Sequence, residues 1–218
     1  LKYIGLDYGL SKTGIATGDA VLKIATIKGT FETKFLFKEL NKIYKDKDIF
    51  VVGLPISMSG RYSKQTFETI DFCLKLKNNF NTDVILMDER LTTQQSYSLT
   101  KNFLNSKKAK KAKDQNSALF ILQMFLDNPN IGINLNIKNP YKIEELDSTN
   151  ILINDVIIKN SNIYNNSDIL AKDPYVFWWY YKRNKTSTTL FEDLKNEYDV
   201  IFTEFDIQIK YKKIIFLR

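Results

Sequence analysis

The chain contains no histidine and only one cysteine, Cys73, among its 218 residues. Without histidine there is no Ser-His or Cys-His nucleophilic machinery and no imidazole-bound zinc. Any hydrolytic chemistry must then rest on carboxylates, lysines, hydroxyls or a bound metal. One cysteine can close no intrachain disulfide and build no thiolate zinc cluster, so Cys73 reads as a packing residue. No stretch approaches the roughly 18 uninterrupted apolar residues of a membrane helix, and the N-terminus lacks the basic, apolar and small-residue order of a secretory signal. A cytoplasmic protein with no membrane partner is expected. The first residue is Leu1 rather than Met, which reads as a trimmed copy; an organelle is the alternative if a targeting segment preceded it.

The composition does supply 44% apolar residues, enough for the core of one large domain or two small ones. Net charge is +7, unevenly placed: residues 1–127 hold 20 Lys and Arg against 13 Asp and Glu, whereas residues 128–218 hold 12 of each. The first segment thus carries the entire excess, the pattern of a domain that binds a polyanion.

The stretch from Lys2 to Asp19, KYIGLDYGLSKTGIATGD, reads as a β-hairpin with a carboxylate, Asp7, at the exit of its first strand. Taken alone, Asp7 either makes an Asx turn or binds a metal ion facing a phosphate. Ile24 to Phe31 adds a third strand, and the spacing of Leu36, Phe37, Leu40, Ile43 and Tyr44 predicts a helix over Lys34 to Tyr44. Ile49 to Gly53 and Asp83 to Met87 are apolar, β-branched runs of the kind found in strands buried on both faces. The first runs into a Gly53-Leu54-Pro55 loop; between the two lies a predicted helix from Arg61 to Phe80, with Phe67, Ile70, Cys73 and Leu74 inward. Alternating strands and helices imply parallel crossovers, and in such sheets functional groups gather at the carboxyl ends of strands. Asp7, the Gly53 loop and Asp88-Glu89-Arg90 all stand at such ends and are expected to converge.

Gln94 to Leu104 reads as a further helix. The window Lys101 to Lys113 holds six lysines and no acid; it reads as a loop in phosphate contact, ahead of a solvated, mobile surface segment as the alternative. Asp114 closes it, either as the N-cap of the last helix of the segment or as a third carboxylate. Ala118, Leu122 and Phe125 mark one face of that helix.

The order GLDYG…TGIAT, VVGLP…MSG, MDERLTT and KDQNSALFILQMFL resembles the YqgF/RuvX family, bacterial relatives of the RuvC resolvases within the RNase H-like fold. The likeness covers residues 2 to 127. It implies an RNase H-like α/β fold, a mixed sheet of antiparallel meander plus parallel strands flanked by helices. It also implies a metal-dependent nuclease acting on the 5′ end of precursor 16S ribosomal RNA, in ribosome biogenesis, or on Holliday junctions in DNA recombination and repair. Carried over by position, the catalytic and metal-binding acids are Asp7, Glu89 and Asp114, with Asp88, Arg90 and Thr92 auxiliary. Lys12, Lys107, Lys108, Lys110, Lys111 and Lys113 would contact nucleic acid. Two departures stand out: Ser117 occupies the first position of a usual alanine pair, and Met58-Ser59-Gly60 lacks an aspartate common in the family.

The chemistry agrees. In-line hydrolysis of a phosphodiester without histidine is served by two Mg²⁺ or Mn²⁺ ions about 4 Å apart held by several carboxylates. Arg90 either holds a phosphate or pairs with a neighbouring acid. The expected partners are structured RNA or branched DNA, with the protein a monomer or homodimer. Two rival readings are an ATP-binding phosphotransferase of the sugar-kinase and actin class, for which nothing after residue 128 supplies the second domain, and a catalytically dead binding module.

Beyond residue 127 an Asn-rich linker, 128–140, leads to a C-terminal extension, 141–218, expected as a small α+β unit. Its predicted elements are a strand from Ile151 to Lys159, a short helix from Leu190 to Tyr198 and one or two strands over Val200 to Leu217. The aromatic run Val176 to Tyr181 reads as core or a dimer contact ahead of a base-stacking platform.

Overall fold

The computed structural model describes residues 2–91, 106–144, 146 and 148–218, and for 106–116 the backbone alone. The chain divides into two compact units, residues 1–56 with 71–135, and residues 57–70 with 136–218.

The first unit is built on a six-stranded sheet of order β3-β2-β1-β4-β5-β6. Strands β1 (Lys2–Asp7), β2 (Lys12–Asp19) and β3 (Ile24–Glu32) form the antiparallel meander. Strands β4 (Ile49–Leu54) and β5 (Val84–Asp88) run parallel to β1. Both are buried almost throughout, which is why they read as unbroken apolar runs rather than alternating ones. Strand β6 (Ile133–Asn134) pairs antiparallel with β5; this dipeptide was expected inside a linker, and two residues are too few to carry a strand pattern.

Helix α3 (Ser106–Asp127) covers one face of this sheet. Its Ala118, Ile121, Leu122 and Phe125 pack with Val51, Ile85 and Met87. It lies unusually close, because a β-carbon at Gly5 would stand 2.6 Å from Leu122 Cβ and 2.9 Å from the Ala118 carbonyl. Only glycine leaves that room. The other face is covered by α1 (Leu36–Ile43) and by the later part of α2 (Lys64–Phe80). Aromatic contacts join them to the strands: Phe50 lies 5.1 Å from Phe80, and Tyr8 stacks on Phe72 at 4.2 Å. Cys73 is fully buried here, as expected of a packing residue.

Two local expectations are corrected. The lysines at 107, 108, 110, 111 and 113 lie within α3 rather than in a loop, since the helix starts at Ser106; lysine and alanine are good helix formers. Asp114 is therefore inside the helix and is not its N-cap. The expected helix over 94–104 lies outside the described residues.

The second unit carries a four-stranded sheet of order β10-β9-β7-β8, from β7 (Ile151–Asn154), β8 (Ser167–Leu170), β9 (Glu197–Thr203) and β10 (Lys210–Phe216). Every pairing is parallel. The extension expected to be α+β is thus α/β. The strand expected to reach Lys159 stops at Asn154, and the helix expected over 190–198 is a single turn at Phe191–Asp193 followed directly by β9.

Besides the short α4 (Ser161–Asn165), the unit has α5 (Pro174–Tyr181). Asp173 caps α5 by accepting the N–H groups of Tyr175 (2.8 Å) and Val176 (3.1 Å), ahead of proline at the first helical position. The helix is apolar all round and buries Val176, Phe177, Trp179 and Tyr180, so the aromatic run is core.

Candidate active site

Within the first unit, β4 lies between β1 and β5, with Leu6 opposite Val52 and Leu54 opposite Asp88. The carboxyl ends of the three strands therefore stand side by side, and two interstrand spacings, about 10 Å, separate β1 from β5. Asp7 is the last residue of β1, Asp88 is the last of β5, and Glu89 follows it.

What closes the gap is the missing side chain at position 53. A β-carbon on Gly53 would meet Glu89 Oε1 at 2.7 Å and Ile121 Cδ1 at 2.6 Å, so Glu89 lies across the top of β4 in space that only glycine vacates. That brings its charge under the influence of Asp7. Burial, then repulsion from Asp7 and Asp88, pushes the Glu89 carboxyl up to about 7. Asp7 is itself raised by burial, an effect partly opposed by a hydrogen bond from Ser117 on α3. The family departure at 117 therefore has a structural use, since the hydroxyl supports the Asp7 carboxylate where alanine has nothing to donate.

Asp88 is engaged differently. It accepts Arg90 Nε at 3.0 Å, Arg90 Nη2 at 2.6 Å and the Arg90 backbone N–H at 2.9 Å. The guanidinium thus grips a neighbouring acid in a two-pronged, charge-assisted contact, one of the two arrangements expected for Arg90.

The remaining expected residues sit as follows. Lys12 is exposed at the start of β2, beyond the turn that follows Asp7. Lys107, Lys108, Lys110, Lys111, Lys113 and Asp114 belong to α3, with side chains outside the described ones, and Thr92 is outside the described residues. Asp114 precedes Ala118 by four residues, one helical turn. Sequence reasoning placed the Gly53 loop beside the acids and noted Ser117 as a departure, but gave neither residue a role in the site. A signal existed for each, in the glycine that ends a buried strand and in the alanine pair broken by serine.

Two desolvated carboxylates that repel one another are a donor set that a divalent cation neutralises. Oxygen-only ligands with no imidazole or thiolate suit Mg²⁺ or Mn²⁺. Among the described residues no group of three or more His, Cys, Asp or Glu side chains is placed to hold a metal; Asp7 and Glu89 supply two.

The sheet order, the parallel β1-β4-β5 core and the acids at its carboxyl end define an RNase H-like α/β nuclease fold. A family model described as "RuvX: Holliday junction resolvase" matches residues 1–128, and the chain belongs to that family. A protein of Thermotoga maritima is 30% identical over 185 residues, covering 82% of this chain and 76% of that one. Proteins of Pelagibacter ubique and Rickettsia typhi are 35% and 36% identical over 133 and 130 residues, covering 58% and 57% of this chain and 88% and 83% of their own. All three carry the name "Putative pre-16S rRNA nuclease". The Thermotoga likeness covers more of the chain than the family model does, so it continues into the second unit.

Proposed function

We propose that the chain is a metal-dependent endonuclease that hydrolyses phosphodiester bonds in the 5′ region of precursor 16S rRNA. The observation that carries this is the approach of Glu89 to Asp7 over Gly53 at the end of three adjacent strands; the names of the relatives direct it to RNA. Asp7 and Glu89 would hold the metal, together with Asp114 from α3. When bound, Mg²⁺ or Mn²⁺ supplies a hydroxide nucleophile near neutral pH and neutralises charge on the phosphoryl oxygens.

The chain's own residues do the rest. Ser117 orients Asp7. Arg90 holds Asp88 as an ion pair, which limits the negative charge pressing on Glu89. Lys12 and the lysines of α3 concentrate a polyanionic substrate near the site. Among the described residues no helix is long and apolar enough to cross a membrane.

A second reading, a branched-DNA resolvase, is favoured by the description of the family model itself. Cleavage of an end-labelled precursor rRNA fragment and of a synthetic four-way DNA junction, side by side in Mg²⁺, decides between them. The proposal expects RNA cut within the 5′ precursor region at a rate at least tenfold above the junction. The reverse preference replaces it with the second reading.

A further inference from the structure

The turn between β1 and β2, residues 8–11, has Asp7 at one end and Lys12 at the other. It folds back tightly, so that a β-carbon on Gly9 would stand 2.7 Å from the Lys12 carbonyl oxygen. A displacement of Gly9 is therefore felt at Lys12. Leu10, Ser11 and Lys12 are exposed, and surface turns are ordinarily among the more mobile parts of a fold.

This turn is held at two points by one residue, Thr33. Strand β3 ends at Glu32, and Thr33 opens the single helical turn Thr33–Phe35 that leads into α1. The Thr33 N–H donates to the Ser11 carbonyl at 3.0 Å, and the Thr33 hydroxyl donates to the Gly9 carbonyl at 2.5 Å. A hydroxyl carries one hydrogen. With that hydrogen on Gly9, the 2.9 Å contact between the Thr33 and Thr13 hydroxyls is one in which Thr13 donates.

The anchor is itself rooted in the core. Thr13 is fully buried on β2, and Leu36, whose N–H donates to the Thr33 carbonyl, is fully buried at the start of α1. A chain of two hydroxyls thus runs from the buried sheet to the exposed turn that follows Asp7. Thr33 bears no charge and its only hydroxyl hydrogen is committed, which suits it to holding the turn rather than to reacting.

We infer that Thr33 is a positioning residue for phosphodiester hydrolysis. By tying down residues 8–11 it sets where the Lys12 ammonium stands relative to Asp7, and so aligns a bound substrate phosphate with the carboxylates. The inference rests on the nuclease reading. In Thr33→Val the N–H contact to Ser11 and both carboxylates remain, but the tie to Gly9 is lost. A misplacement of about 1 Å costs on the order of 100-fold in rate, so RNA still binds and bound RNA is cut slowly.

The test is single-turnover cleavage of labelled precursor 16S rRNA in Mg²⁺ by the intact chain, Thr33→Val, Thr33→Ser, Lys12→Ala and the double variant Lys12→Ala/Thr33→Val. Thermal unfolding in EDTA checks that each is folded. At saturating protein, Thr33→Val should be at least about tenfold slower, with its RNA dissociation constant in EDTA changed by less than about threefold. Thr33→Ser, which keeps the hydroxyl, should restore the rate. The double variant should be no slower than Lys12→Ala alone, because a residue that acts through Lys12 has nothing left to position. Independently of cleavage, amide hydrogen exchange over residues 8–12 in EDTA should be faster in Thr33→Val than in the intact chain. If the intact chain cuts no RNA, the nuclease reading fails and the inference falls with it. If the intact chain cuts RNA and folded Thr33→Val cuts equally fast, the reading stands and the inference alone is overturned. The same holds if the loss appears only in RNA affinity, if Thr33→Ser does not restore the rate, or if the two single losses multiply in the double variant.

Discussion

Glu89 Oε1 occupies the space above Gly53 that a side chain there would enter, at 2.7 Å from the position of the missing β-carbon. The acid reaches across a whole strand toward Asp7 because that strand carries nothing at its end. Gly53→Ala is therefore expected to displace Glu89 and Ile121 together. Overpacking of this kind costs about 1–3 kcal/mol, and here the clashing atoms are side-chain ends that can shift, so the lower end is expected in thermal unfolding. Cleavage should fall at least tenfold in a single-turnover assay, because the displaced group is the proposed ligand. Equal losses of activity and stability would show that Gly53 matters only to packing.

The charge arrangement gives a pH dependence whose sign is opposite to that of an ordinary ion-paired carboxylate. Glu89 is raised to about 7 in the folded protein from an ordinary value of 4.5, first by burial and then by its acidic neighbours. Between those values the folded state binds more protons than the unfolded one, so stability falls as pH rises from about 4.5 to about 7. The full effect is on the order of 2–3 kcal/mol after allowance for partial exposure, and the raised Asp7 adds in the same direction. In EDTA the unfolding midpoint should drop between pH 5 and pH 7.5, and Glu89→Gln should flatten that slope. Added Mg²⁺ should stabilise the protein more at pH 7.5 than at pH 5. A slope unchanged by Glu89→Gln would contradict the assignment.

Arg90 closes on Asp88 through two nitrogens. Removing it in Arg90→Ala leaves the Asp88 charge unopposed beside Glu89, so the rising limb of the pH–rate profile should move to higher pH. Arg90→Lys should restore it only in part, since an ammonium lacks the planar fork. A profile that keeps its position while KM rises would instead mark Arg90 as a phosphate contact.

The close seat of α3 on the sheet is tested by Gly5→Ala. The new β-carbon would stand 2.9 Å from a backbone carbonyl, that of Ala118, and 2.6 Å from Leu122 Cβ, neither of which swings away as a side-chain end does. A destabilisation of about 2–3 kcal/mol is expected, several degrees in unfolding midpoint for a chain of this size.

In the second unit, Tyr180 is buried with its hydroxyl donating to the Val156 carbonyl at 3.2 Å and accepting the Ile158 N–H at 3.0 Å. Tyr180→Phe strands both backbone groups and should cost about 1–3 kcal/mol in denaturant unfolding.

These positions also show how far the sequence was readable. The strands at 49–54 and 84–88 were plain because burial on both faces writes an unbroken apolar run, and the strand ends then located Asp7, Asp88 and Glu89. The lysines before Asp114 were misread because charge density suggested a loop, although Lys and Ala are helix formers and the helix needed no cap there. In the second unit, strands of four residues such as Ile151–Asn154 are too short to show a period, and parallel pairing leaves no local mark. Nor does any local pattern tell that residues 57–70 associate with residues 136–218; that is decided by tertiary partners alone. Gly53 was noticed as a loop residue, but its role depends on an acid 36 positions later.

The central claim is that Asp7 and Glu89 run phosphodiester hydrolysis through a divalent cation. The most direct measurement is single-turnover cleavage of labelled precursor 16S rRNA by the intact chain and by Asp7→Asn, each with Mg²⁺ or with EDTA. Cleavage by the intact chain in Mg²⁺ alone, with a rate at least a hundredfold lower for Asp7→Asn, is the expected result. Cleavage that persists in EDTA, or an Asp7→Asn rate equal to that of the intact chain, would contradict it.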